Sequence, residues 1–154
     1  MNIIVSDEQD DPLPLERVLP LAEQVLEAEG VTPDAEVAIV FVDEDAIAGY
    51  NERYMGRSGP TDVLSFPVHD AEPGTPPVPE APGVPLALGD VFIAPAVVRR
   101  NAERHGVDFV DELALMVVHG LLHLLGWDHQ EDEEAERMEA EERKLLAAAG
   151  RRRP

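Results

Sequence analysis

The chain contains no cysteine, so both disulfide bonds and thiolate metal ligands are excluded. Any metal ion must therefore be held by histidine, aspartate or glutamate. No apolar run approaches the ~20 residues needed to cross a bilayer. The first residues, Met-Asn-Ile-Ile-Val-Ser, lack the charged and apolar regions of a signal peptide. We therefore expect a soluble, cytoplasmic protein with no membrane partner.

Aromatic residues are scarce, at 5% of the 154 residues, whereas apolar residues of all kinds make up 44%. The core must therefore consist mainly of leucine, valine, isoleucine and alanine. This length suggests one domain, since roughly two thirds of the unfolded chain's surface can be buried at this size. We expect the domain to span residues 1–150 and the arginine-rich residues 151–154 to form a disordered tail.

Positive charge is also scarce: the only lysine is Lys144, and the formal net charge is −20. Taken alone, this acidity argues against nucleic-acid binding. Eight of the residues 131–142 are acidic, which is typical of a solvated helix face. Five arginines cluster elsewhere in the sequence: Arg53, Arg57, Arg99, Arg100 and Arg104. They either form a local basic groove for RNA or are ordinary surface arginines that pair with the abundant acids.

The pattern of apolar residues predicts the element order β-α-β-α-β-β-α-α-α. The strands are predicted at 2–6, 36–42, 63–66 and 86–94. A proline-rich segment, 70–85, holds six of the fourteen prolines, and we interpret it as a mobile loop that permits antiparallel pairing of its flanking strands. We expect a single α/β domain, with α+β as the alternative, in which about five helices pack on a small mixed sheet with one antiparallel strand.

Three of the five histidines lie in the segment His119-Gly-Leu-Leu-His123-Leu-Leu-Gly126-Trp-Asp128-His129. His119 and His123 are four residues apart, so on a helix they share one face. Gly126 is well placed to end that helix in a left-handed conformation, and this reversal can bring His129 back to the same ion. The spacing predicts a metal site formed by His119, His123 and His129. The alternative is that these histidines are ordinary core or surface groups.

Three imidazoles favour one Zn²⁺ ion, although nickel or another divalent ion is compatible with them. Three protein ligands leave one coordination position for water, as in catalytic zinc sites. The spacing also matches the long zinc-protease pattern His-Glu-x-x-His-x-x-Gly-x-x-His. However, Gly120 stands where the proteases carry their glutamate base. This departure argues against a peptidase.

Two further segments, together with the histidine string, resemble the YbeY endoribonuclease family. They are Pro60-Thr61-Asp62-Val63-Leu64-Ser65-Phe66-Pro67 and Leu88-Gly89-Asp90-Val91-Phe92-Ile93. The resemblance covers roughly residues 36–147. It implies zinc held by His119, His123 and His129, and a single-strand-specific endoribonuclease. It also implies a role on ribosomal RNA and the ribosome, in maturation of the small-subunit RNA 3′ end and in ribosome quality control.

One position departs from the family's pattern. The family often has an arginine after the tyrosine that precedes the Pro-Thr-Asp segment, and this chain has Met55 there. Arg57 is therefore our candidate catalytic residue, with Arg53 as the other neighbour. Asp90 and Asp128 are candidate partners for the ligand imidazoles.

Two other functions stay open from the sequence. One is a zinc metallopeptidase-like hydrolase, and the other is a non-catalytic ribosome-assembly factor whose zinc is structural.

Overall fold

A computed structural model describes residues 1–154. Four strands form one sheet in the order β1-β2-β4-β3. Their bounds are β1 Asn2–Glu8, β2 Ala35–Val42, β3 Val63–Pro67 and β4 Leu86–Ile93. The β1–β2 and β2–β4 pairs are parallel, whereas β3 runs antiparallel to β4. The predicted mixed sheet with one antiparallel strand is therefore confirmed.

Five α-helices accompany the sheet, as the sequence predicts. They are α1 Val18–Ala28, α2 Glu44–Met55, α3 Pro95–His105, α4 Phe109–Leu124 and α5 Asp132–Ala148, and a short 3-10 helix at Leu15–Arg17 precedes α1. Asp43 begins α2 by accepting a hydrogen bond from the Ala46 N–H at 2.8 Å. None of the helices combines the length and the apolar character that a membrane crossing requires.

The helices lie on both faces of the sheet, and α4 is the most buried of them. Its apolar side chains form the main core together with α1, α5 and one face of the sheet, which includes Ile39 and Val91. Side chains alternate between the faces of a strand, so Phe92 points to the opposite face. There it contacts Tyr50 of α2, with ring centroids 4.9 Å apart. Because α4 packs in the main core, the position of His119 and His123 on this helix is set by core packing.

The last four residues, which we expect from the sequence to be a disordered tail, contact the domain in the structure. Gly150 ends α5 with a positive φ of 74°, and the Arg151 N–H donates to the Leu146 carbonyl at 2.8 Å. The chain thereby turns back along α5. Arg151 then pairs with Asp111 of α4 at 2.9 Å, and Arg153 donates to Glu142 at 3.1 Å. These two contacts place the arginines against acidic side chains of α4 and α5.

Helix α4 approaches the sheet most closely at Gly120. A Cβ atom there would lie 2.4 Å from Cγ1 of Val91 and 3.3 Å from Cγ2 of Val63. Ser65 of β3 also donates to the Gly120 carbonyl at 2.9 Å, which ties the helix to the edge strand. Residue 120 thus faces the sheet, and only glycine fits at this distance.

We expect Gly120→Ala to lower the free energy of unfolding by about 1–3 kcal/mol, because the methyl group would overpack a rigid contact with Val91. The control is Gly49→Ala in α2, where an added Cβ meets no atom within 4 Å. That control is expected to be neutral or to stabilise by about 0.5–1 kcal/mol, since alanine favours a helix over glycine. Urea unfolding of both variants checks the difference. Equal stabilities would show that the close approach at Gly120 is unimportant.

Candidate metal centre

The three histidines of the predicted metal site meet in the structure. His119 and His123 lie one turn apart on α4, with their Nε2 atoms 3.0 Å from each other. The Trp127 N–H donates to the Leu122 carbonyl at 3.0 Å, and Gly126 has a φ of 95°. This reversal after α4 returns the chain toward the helix. One ligand atom from each of His119, His123 and His129 lies within 4.8 Å of the others.

This arrangement fits a single metal ion. Two imidazole nitrogens bound to a tetrahedral zinc ion lie about 3.4 Å apart, and the 3.0 Å between the His119 and His123 nitrogens is close to that value. No fourth histidine, aspartate or glutamate completes the group. His119 and His123 are partly buried and His129 is exposed. The three histidines are therefore close enough to hold one ion and leave its solvent side free of protein ligands.

The environment of His123 keeps its imidazole neutral. Burial, followed by the neighbouring rings of His119 and His129, lowers the pKa of His123 from 6.5 to about 4. A neutral imidazole keeps a nitrogen lone pair, which is the form that binds a metal ion. His123 is therefore ready to act as a ligand at neutral pH.

The imidazole of His119 is oriented by Glu142 of α5. Its Nδ1 lies 2.7 Å from the Glu142 Oε2, and the carboxylate is only 1% exposed. Burial alone would raise the pKa of Glu142, but the hydrogen bonds from His119 and Arg153 outweigh burial and hold it below its ordinary value. The carboxylate therefore accepts the Nδ1 proton and leaves Nε2 free to face the ion, a common arrangement around bound zinc.

Glu142 is not among the residues predicted from the sequence, because the acidic residues 131–142 are typical of a solvated helix face. A signal was present: Met138, Glu142, Leu145 and Leu146 follow the spacing of one helix face. All four are buried in the structure. A lone acid within an apolar stripe indicates a buried carboxylate with a specific partner.

Neither aspartate that we considered from the sequence contacts a ligand imidazole. Asp128 accepts a hydrogen bond from the backbone N–H of His129 at 2.8 Å, so it shapes the turn that presents this ligand. Asp90 is exposed in β4, makes no side-chain hydrogen bond, and follows the alternation that sends the adjacent Val91 toward α4. It therefore points to the other face of the sheet.

The arginines near Met55 differ in their surroundings. Met55 is the last residue of α2, and Gly56 turns the chain with a φ of 65°. Arg53 lies over the ring of Tyr54, 5.6 Å from its centroid. Arg57 is exposed and makes no side-chain hydrogen bond or ion pair. Its guanidinium is therefore available to a ligand outside the protein.

The three arginines of α3 all have partners within the protein. Arg99 donates to the Pro12 carbonyl at 2.8 Å and stacks on the ring of Phe109, while Arg100 pairs with Glu44. Arg104 donates to Asn101 at 2.6 Å. These contacts favour the interpretation of α3 as an ordinary charged surface over that of a free basic groove.

The loop that carries His129 is anchored through Trp127. The Trp127 Nε1–H donates to Oε1 of Glu29, at the end of α1, over 3.0 Å. Burial, followed by the hydrogen bond and charge of Glu141, raises the pKa of Glu29 to about 7. The anchor therefore contains a carboxyl group that takes up a proton just below neutral pH.

This raised pKa makes stability depend on pH. The folded-state pKa lies above its ordinary value of 4.5, so the stabilising contribution is complete below pH 4.5 and is lost as the pH rises through about 7. Glu29→Gln stays uncharged and keeps an oxygen acceptor for Trp127. We expect it to stabilise the fold by about 1 kcal/mol at pH 8, with allowance for solvent screening, and to have little effect at pH 4.

Thermal unfolding of Glu29→Gln across this pH range checks the prediction. Glu23→Gln, at an exposed position of α1, is the matched control and should behave like the parent at every pH. A Glu29→Gln variant no more stable than the parent at pH 8 would contradict the raised pKa.

Comparison with known proteins places the chain in a family. The family model described as Endoribonuclease YbeY matches residues 4–150. A protein of that name from Thermobifida fusca is 44% identical over 147 residues, which is 96% of this chain and 93% of the relative. Another, from Mycolicibacterium smegmatis, is 41% identical over 146 residues, or 95% of this chain and 82% of the relative.

The fold also has a solved counterpart. The solution structure of a Thermotoga maritima protein matches with a TM-score of 0.61 and 26% sequence identity, covering 96% of this chain and 91% of that one. The resemblance inferred from three motifs is thus confirmed over nearly the whole sequence. The chain belongs to the YbeY endoribonuclease family.

Proposed function

We propose that this protein is a zinc-dependent endoribonuclease that cuts single-stranded RNA in the cytoplasm. We further propose that it acts in ribosomal RNA maturation, at the 3′ end of the small-subunit RNA, and in ribosome quality control. The observation that carries the proposal is the three-histidine cluster with an open solvent side, in a chain whose relatives are named endoribonucleases.

His119, His123 and His129 would hold the ion. A zinc ion bound there would supply electrophilic stabilisation for the negative charge that develops on phosphate oxygens, or activate a water molecule. Glu142 fixes the ring of His119, and the Asp128 turn presents His129. Because these ligands sit on α4 and on a turn anchored by Trp127, the protein supplies a rigid, preorganised site.

The exposure of the ligands supports a single-stranded substrate. The rings of His119 and His123 are partly buried, so a phosphodiester must leave the regular path of a duplex to come near them. A single strand bends easily and can expose one phosphate, whereas an A-form duplex is stiff and regular. This geometry favours loops, ends and other unpaired segments of RNA.

RNA binding requires local positive charge, because the net charge of −20 repels the phosphate backbone. Arg57 has no partner within the protein, and a guanidinium can bind phosphate through two parallel hydrogen bonds. We therefore propose Arg57 as a phosphate-binding residue in place of the arginine that Met55 replaces. Affinity for RNA should be weak and should fall as salt increases.

The two alternative functions receive no support from the site. A peptidase of the matching pattern needs a glutamate at position 120, where even a methyl group would meet Val91. A structural zinc ion is normally closed by a fourth protein ligand, and the histidine group has three members. Both observations favour a catalytic ion with a substrate other than peptide.

His123→Ala should abolish both stoichiometric zinc binding and RNA cleavage, because the remaining two imidazoles cannot hold the ion firmly. Metal analysis and cleavage of a single-stranded RNA oligonucleotide, with an unstructured protein as a parallel substrate, provide the measurement. His105→Ala, at an exposed histidine of α3, is the control and should retain both properties. Undiminished RNA cleavage by His123→Ala would overturn the proposal, as would cleavage of the protein substrate alone.

Arg57→Ala should reduce kcat/KM on RNA by about tenfold to a hundredfold, because a charged hydrogen bond to phosphate contributes about 1.5–3 kcal/mol. Its zinc content should equal that of the parent. Arg143→Ala removes the same charge from an exposed site on α5 and controls for the change in net charge. If kcat/KM falls equally in the two variants, Arg57 only contributes positive charge at long range and does not contact the phosphate.

A further inference from the structure

Arg153, near the end of the chain, is connected to the predicted metal ligand His119 through the carboxylate of Glu142. Residues 4–150 match the family, whereas Arg153 lies outside that range. Its Nε donates to Oε1 of Glu142 at 3.1 Å, while the other oxygen of the same carboxylate lies 2.7 Å from Nδ1 of His119. The three side chains thus form a continuous row from the tail to the site.

The row has a physical reason to act as a unit. The side chain of Glu142 is 1% exposed, and a buried carboxylate needs opposite charge as well as hydrogen-bond donors. His119 supplies one donor, but Arg153 is the only cation that contacts Glu142. Arg153 holds one oxygen of this carboxylate, and the position of the carboxylate in turn fixes the oxygen that lies against Nδ1 of His119.

The path of the tail makes this contact specific. The reversal at Gly150 and the pairing of Arg151 with Asp111 of α4 fix the chain just before Arg153. Arg153 is left 23% exposed beside Glu142, whereas its neighbour Arg152 is exposed and has no side-chain partner. Two adjacent arginines therefore carry the same charge, but only one of them contacts the carboxylate.

We propose that Arg153 is a positioning residue for the metal site. Through Glu142 it holds the His119 imidazole with Nδ1 protonated and Nε2 directed at the ion, and so raises the affinity of the site for zinc. This inference rests on the proposed zinc-dependent function and adds to it a residue from outside the family's matched range.

Zinc affinity of the full chain, measured without RNA by competition with a chromogenic chelator, tests the proposal. Partners of this kind typically change metal affinity by about 10- to 100-fold, so Glu142→Gln should weaken binding by that factor. Arg153→Ala, one step further from the ion, should weaken it by about three- to tenfold. Arg153→Lys should recover part of the loss, because it keeps the charge without the planar fork. Arg152→Ala should bind zinc like the parent.

A double variant distinguishes action through Glu142 from a general effect of charge. In the Glu142→Gln background, Arg153→Ala should cause no further loss of affinity, because the link between the two sites is already broken. The His119 Nδ1–H resonance in NMR spectra of the zinc-loaded protein should shift in Arg153→Ala and stay unchanged in Arg152→Ala. This signal does not depend on a general loss of stability.

Equal zinc affinities for Arg153→Ala and Arg152→Ala would overturn the proposal, as would a full Arg153→Ala effect in the Glu142→Gln background. These outcomes are separable from failure of the proposed function. If the parent binds zinc but leaves RNA intact, the endoribonuclease assignment fails while the affinity series still decides the role of Arg153.

Discussion

The contact between α4 and the sheet at Gly120 determines where the site can form. Because residue 120 has no side chain, the helix backbone lies directly on Val91 and Val63. This contact fixes the distance of α4 from the sheet and the rotation of the helix about its own axis. His119 is thereby directed toward α5, and His123 lies one turn further along the same face. The position of the metal site therefore follows from the packing of the core. Gly120, which stands where zinc proteases have a catalytic glutamate, is required here by the close contact with the sheet.

The side chains that hold the histidines and their turn in place come from elements that are distant in the sequence. Trp127 is held by Glu29, the residue after α1, and His119 is held by Glu142 of α5. Both partners are carboxylates in a chain with an excess of acid, but their surroundings affect them in opposite ways. Burial, together with the neighbouring Glu141, raises the pKa of Glu29, whereas the hydrogen bonds from His119 and Arg153 outweigh burial and lower the pKa of Glu142. The same residue type thus provides one anchor that takes up a proton near neutral pH and one carboxylate whose charged form is favoured.

Much of the fold could be predicted from the sequence because its signals are local. Asp43, Pro95 and Gly126 mark helix ends, and the histidine spacing by itself defines a shared helix face. What could not be predicted depends on which surfaces pack together. The helical spacing of Met138, Glu142, Leu145 and Leu146 indicates that Glu142 is buried, but its partner, His119, becomes evident only once α5 lies on α4. The order of the tail depends on Asp111 and Glu142, which lie 40 and 11 residues away from their arginines.

The proline-rich loop also meets the metal-binding turn at one point. A Cβ on Gly126 would lie 2.2 Å from the carbonyl oxygen of Ala71, so the two backbones cross without room for a side chain. The start of the loop is thereby tied to the turn that presents His129. Insertions or deletions just after β3 would therefore move the turn that presents His129. The length of the segment between β3 and Ala71 is thus constrained by the metal-binding turn as well as by the sheet.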